Sequence, residues 1–72
     1  MKLVIEINLD NAAFHEEGWG NNRESAAILE GFCHHLKRWG HLRVGETVQS
    51  FHDKNGNFVG NATVVEEVND AN

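Results

Sequence analysis

Five histidines, one cysteine and eleven carboxylates in 72 residues are the side chains of this chain that could do chemistry. His34 and His35 are adjacent, so on a helix they point about 100° apart and do not chelate one ion together. No Cys-x-x-Cys or His-x-x-x-His spacing is present, and Cys33 could meet His41 or His52 only through the fold. Asp53-Lys54-Asn55-Gly56-Asn57 sets oxygen ligands at the first, third and fifth places of an EF-hand-like loop. Its glycine comes too early, however, and the twelfth place is Val64 where a glutamate is required. An Asx-stabilised hairpin turn accounts for every residue of that segment. His15-Glu16-Glu17 and Cys33-His34-His35 hold acid–base and thiol groups. A nucleophilic cysteine needs exposure and a lowered pKa, whereas Cys33 falls on an apolar stripe and reads as a small core residue. There is no Ser-His-Asp arrangement and no glycine-rich phosphate loop. The expectation is a protein without catalytic residues, metal or cofactor.

Two tryptophans point toward recognition. Trp19 lies between glycines, where core packing does not demand it. Trp39 falls near Lys37, Arg38 and Arg43. Tryptophan and arginine dominate protein–protein hot spots, so Trp19, Lys37, Arg38, Trp39 and Arg43 are the candidate contact residues. The formal charge of −5 argues against a nucleic-acid ligand, which calls for a basic face. The carboxylates are too scattered for a DNA mimic. The apolar runs are far short of a membrane span. The start of the chain meets Glu6 too early for a signal peptide. One cysteine forms no internal disulfide, which fits an intracellular location.

These residues are positioned by few elements. Leu3, Ile5, Ile7 and Leu9 alternate with Lys2, Glu6, Asn8 and Asp10, predicting a strand over 2–9. Residues 10–22 read as a connection that tucks Phe14 under a helix. Asn21 or Asn22 caps that helix, and Glu24 stands at capping-box spacing from Asn21. Leu29, Phe32, Cys33 and Leu36 form its apolar stripe, with Ile28 and Trp39 flanking. Gly40 is placed for a left-handed C-terminal cap, and Gly31 suggests a close backbone contact. A hairpin follows: one strand between His41 and Phe51, irregular near Gly45-Glu46, the Asn55-Gly56 turn, and a third strand over 58–67. Gly60, Ala62 and Val64 are expected under the helix; Val4, Val59, Thr63 and Val65 take the far face. Residues 68–72 form an acidic tail. The whole is a single α+β domain of order β-α-β-β. One amphipathic helix packs on a three-stranded antiparallel sheet of spatial order 1-3-2. A chain this short buries only about 60% of its unfolded surface, and homodimerisation through the open sheet face is a common remedy.

Two segments carry a resemblance: Ile7-Asn8-Leu9-Asp10-Asn11-Ala12-Ala13-Phe14, and Phe51 to Gly60 with its Asp53-Lys54-Asn55-Gly56-Asn57 core. With Ala27-Ile28-Leu29 and Leu36 between them, the chain resembles a group of short, uncharacterised bacteriophage and prophage proteins of strand–helix–hairpin layout. The motifs are structural, so the resemblance implies a fold and a phage setting and no active site. Gly31 and His34-His35 depart from that pattern, which has longer charged residues in the helix. The implied function is binding of a host protein in the host cytoplasm, as an inhibitor of an antiviral defence system such as an anti-CRISPR. The alternative is a phage structural or accessory module acting as a small homodimer.

Overall fold

The structure, a computed structural model, describes residues 1–11, 14–15 and 21–67, apart from the side chain of Asn21. Four elements follow one another: β1 (Lys2–Ile7), α1 (Asn21–Arg38), β2 (Thr47–His52) and β3 (Phe58–Val65). The strands form one antiparallel sheet of order β1-β3-β2, with the helix packed on it. This is the α+β arrangement expected from the strand, helix and hairpin patterns. The predicted acidic tail, 68–72, lies outside the described residues.

The core lies between α1 and one sheet face. Phe14, Phe32, Val48, Phe51, Val59, Ala62 and Val64 are buried, and Leu3, Ile7, Ile28, Leu36, Trp39 and Leu42 close around them. Phe32 meets Phe51 edge-on, ring centroids 5.4 Å apart, the geometry that the ring quadrupoles favour. Phe14 is 1% exposed, so the connection from β1 does place its aromatic in the core.

The helix is rotated from the expected stripe. Its buried row runs through Glu24, Ile28, Phe32, Leu36 and Trp39, which recur every three or four residues and lie on one side of the cylinder. Leu29 is 40% exposed and Cys33 is exposed, contrary to the expectation that both are core. The rotation has a polar cause. Glu24 reaches the hairpin turn and His35 reaches β2, and those two bonds turn the helix toward β2. The helix therefore leans away from β1. Ile5, although on the helix-facing side with Ala62, stays 43% exposed, and Leu9, beyond the end of β1, is 39% exposed. The alternation over 2–9 predicts both on the buried face of the strand, and both are instead exposed.

Two bulges set the remaining faces. Thr47 stands opposite Thr63 and Gln49 opposite Ala62, so Val48 is an extra residue in β2. Phe51 faces Gly60 and His52 faces Phe58, so Val59 is extra in β3. An extra residue shifts the alternation by one, and both valines turn into the core at 3% exposure. That is why Val59 joins Ala62 and Val64 and does not take the far face. The irregularity expected at Gly45-Glu46 is also present. Gly45 adopts φ of 93°, and the Gly45 N–H and Glu46 carbonyl pair with Val64, so β2 proper begins at Thr47 and not near His41.

Gly60 serves β1 and not the helix. It stands opposite Ile7 at φ of 154°, and a Cβ there would lie 2.0 Å from the Glu6 carbonyl oxygen. Only glycine lets the two backbones approach this closely. Gly31 shows the reverse: a Cβ there meets nothing within 4 Å, so the expected close backbone contact is absent. Gly40 is not in the left-handed region, and the helix instead ends on a tighter bond from the Trp39 N–H to the Leu36 carbonyl, 3.1 Å.

Gly60→Ala is expected to cost more than about 2 kcal/mol in urea denaturation, combining overpacking with backbone strain. Gly31→Ala is expected to gain about 0.5–1 kcal/mol on the exposed helix face. Equal effects of the two substitutions would contradict this placement.

Candidate functional site

A polar constellation of described residues is built on the turn between β2 and β3. The Asp53 N–H donates to the Asn57 carbonyl at 2.9 Å and the Gly56 N–H to the Asp53 carbonyl at 3.0 Å. Gly56 has φ of 85°, and among the described residues none other than glycine has positive φ. This is a three-residue loop closed by a left-handed glycine, not the two-residue turn with Asn55 also left-handed.

The Asp53 carboxylate organises that loop and reaches beyond it. One oxygen accepts the backbone N–H groups of Asn55 and Asn57, each at 2.9 Å. The other accepts the side-chain amides of Asn11, at 3.1 Å, and Asn57, at 3.3 Å. Asn11 belongs to the connection after β1, so one buried carboxylate joins two distant segments. Glu24, 3% exposed, adds a third: its carboxylate accepts the Lys54 N–H at 2.8 Å. The connection, the first turn of α1 and the hairpin turn thus meet around two acids.

This geometry decides what the segment can do. A calcium loop turns its oxygens inward toward a cation. Here Asn11 and Asn57 turn their N–H groups onto Asp53, and four donors occupy its acceptor positions. Among the described residues, no group of three or more His, Cys, Asp or Glu is arranged to hold a metal ion. A shallow open hollow beside the clamp is lined by Glu24, Ala27, Ile28, His52, Asp53 and Lys54.

The burial of Asp53 pushes its carboxyl upward, and the bonds from Asn57, Asn11 and Asn55 outweigh that, leaving its pKa below the ordinary carboxylate value. In the unfolded chain the group returns to the ordinary value, so the folded state binds the proton less tightly. The stabilisation is whole at neutral pH and is lost as pH falls through the ordinary carboxylate range toward the lowered native value.

The contact residues predicted from sequence are only partly brought together. Trp39 is half-buried, packed against the core with its ring 5.2 Å from that of His35. It contributes more to the fold than an exposed anchor would. His35 itself is not simply solvated: its Nε2 donates to the Val48 carbonyl at 3.2 Å, because a carbonyl can only accept. Lys37, Arg38 and Arg43 are exposed around the end of α1 and the loop after it. The Arg43 backbone N–H is held by Glu46 at 2.6 Å, which fixes that loop. Trp19 lies outside the described residues. Cys33 stands on the outer side of the helix.

Comparisons with protein-family models, curated proteins and solved structures find no match. Among the described residues no helix is long and apolar enough to cross a membrane.

Asp53→Asn is expected to lower the urea midpoint at neutral pH and to flatten the loss of stability on acidification, because the linked proton is gone. Denaturation series at neutral and acidic pH check both. An unchanged acid limb would show that Asp53 does not carry the linkage. Asn11→Ala should weaken the clamp while leaving the turn's backbone bonds in place.

Proposed function

We propose that this chain works by binding a host protein and not by catalysis, in the phage setting its resemblance implies, with inhibition of a host defence system as the leading role. The observation that carries the reading is the division of polar groups. Glu24, Asp53 and His35 accept from or donate to backbone groups and hold the fold. Three of the six Lys and Arg residues, Lys37 and Arg38 at the end of α1 and Arg43 in the loop after it, have exposed side chains. On a chain of net charge −5 the stretch from Lys37 to Arg43 carries three cations and no acid, with Glu46 the next carboxylate along the chain. It suits an acidic protein surface, which such a patch would steer to and orient on.

A second reading, a phage structural or accessory module built as a homodimer, is favoured by the free edge of β1. The open sheet face is a weaker route to the same dimer. Its rows mix Val4 and Val65 with Lys2, Glu6, Asn61 and Ser50, so no continuous apolar patch forms there.

Reversing charge with Lys37→Glu and Arg38→Glu together is expected to reduce capture of a host protein from lysate by roughly tenfold or more, about the effect of desolvated charge pairs at an interface. Circular dichroism should show the fold retained, since both side chains are exposed and the helix-dipole effect is small. Capture that is insensitive to both substitutions would move the contact elsewhere and sink the charge argument.

A further inference from the structure

The two edges of the sheet are treated differently. β2 is blunted: it carries an extra residue at Val48, and the helix sends His35 to the Val48 carbonyl. Such devices discourage pairing with another chain. β1 has neither. Its pairing with β3 runs without interruption from Lys2 opposite Val65 to Ile7 opposite Gly60, and no described residue pairs with its outer edge.

The free hydrogen-bonding groups of that edge can be assigned. The Asn8 N–H donates to the Val59 carbonyl, and the Glu6 carbonyl lies against Gly60, so the even-numbered residues point their backbone groups toward β3. Backbone direction alternates along a strand, so Leu3, Ile5 and Ile7 point theirs outward. Ile5 is also the strand's exposed apolar side chain, at 43%.

We infer that β1 pairs antiparallel with β1 of a second copy of this chain, about a two-fold axis through Val4, making one continuous six-stranded sheet. In that register Leu3 stands opposite Ile5 of the other copy, and these are the residues whose N–H and C=O groups are free, so they exchange backbone bonds on both sides of the axis. Lys2 stands opposite Glu6, again twice. Lys2 and Glu6 fall at non-hydrogen-bonded positions, where facing side chains approach most closely. Within the monomer neither has an opposite charge across the strand: Lys2 faces Val65 and Glu6 faces Asn61. Shifting the axis to Leu3 or Ile5 sets Lys2 against Val4 or Asn8 and loses both pairs. The charges therefore select one register, and the selection is self-complementary, as a two-fold interface requires. An edge this short falls below the about 1,200 Å² of standard interfaces, so the dimer is concentration-dependent. It is independent of the host-binding reading and gives the homodimer reading a geometry.

The test uses the full chain with Cys33→Ser, so that no exposed native thiol cross-links. Sedimentation equilibrium from micromolar to millimolar concentration should show a monomer–dimer equilibrium. Lys2→Glu or Glu6→Lys alone turns two attractions into two repulsions and should weaken it by roughly tenfold or more. The double swap, Lys2→Glu with Glu6→Lys, should restore it. Val4→Cys should form a disulfide-linked dimer under mild oxidation much faster than Ser50→Cys on the exposed β2. A chain that stays monomeric at millimolar concentration, a dimer indifferent to both reversals, or equal cross-linking at the two cysteines would overturn the inference. Because Lys2 and Glu6 are exposed, circular dichroism of each variant separates loss of the dimer from loss of the fold.

Discussion

The carboxylate of Asp53, surrounded by four N–H donors, is the constraint on which the rest of this structure depends. A domain of this size has little apolar surface to bury, and among the described residues seven hydrophobic side chains are buried. Beyond the bond from the Asn8 N–H to the Val59 carbonyl, the described residues of the segment after β1 and of the first turn of α1 are held to the hairpin by side chains. The clamp supplies that connection: Asn11 reaches Asp53 from one segment and Glu24 reaches Lys54 from the other. Buried acids of this kind stabilise when their acceptors are satisfied, and at Asp53 four backbone and amide N–H groups satisfy them.

The clamp also explains the tilt of the helix. Glu24 fixes α1 at the hairpin turn, and His35, three turns later, fixes it at the start of β2. A helix held at two points along β2 cannot lie centrally over a three-stranded sheet. β1 is left with Ile5 half in solvent, and the edge that the helix leaves uncovered is the regular one. The same two bonds that complete the fold on one side thus define what is unfinished on the other.

Much of this was legible in the sequence, and the parts that were not share a physical cause. Period-two alternation over residues 2–9, of which 2–7 form β1, the helix signals and the Asp-x-Asn-Gly-Asn turn led to the elements, their order and the spatial arrangement 1-3-2. The apolar stripe through Leu29 and Cys33 went astray because the true buried row contains Glu24. A carboxylate reads as solvent-facing unless its partner is known, and Lys54 is thirty residues away. The inner face of β3 was half right: Ala62 and Val64 were visible, but the bulge that turns Val59 inward depends on pairing and leaves no mark in a single strand. Gly60 was noticed as small, yet its partner proved to be the β1 backbone. For the site, the Asn-Gly turn signalled a tight loop. That its aspartate would also hold Asn11 could not be read from spacing.

The placement of charge follows from the direction of the helix. α1 runs from the hairpin turn, where Glu24 sits, to the opposite end of the sheet, where Lys37 and Arg38 emerge beside the Arg43–Glu46 loop. Acids near its N-terminus and cations near its C-terminus both oppose the macrodipole charges favourably, so the separation costs the helix nothing. It leaves the clamp at one end and Lys37 and Arg38 at the other, and the clamp's bonds to Asn11, Lys54, Asn55 and Asn57 reach neither cation. Sites without shared partners respond independently to substitution. The exposed cations at the helix C-terminus are therefore separate from the acids that tie its N-terminal turn to the hairpin, while Leu36, Trp39 and His35 hold that end of the helix to the core and to β2.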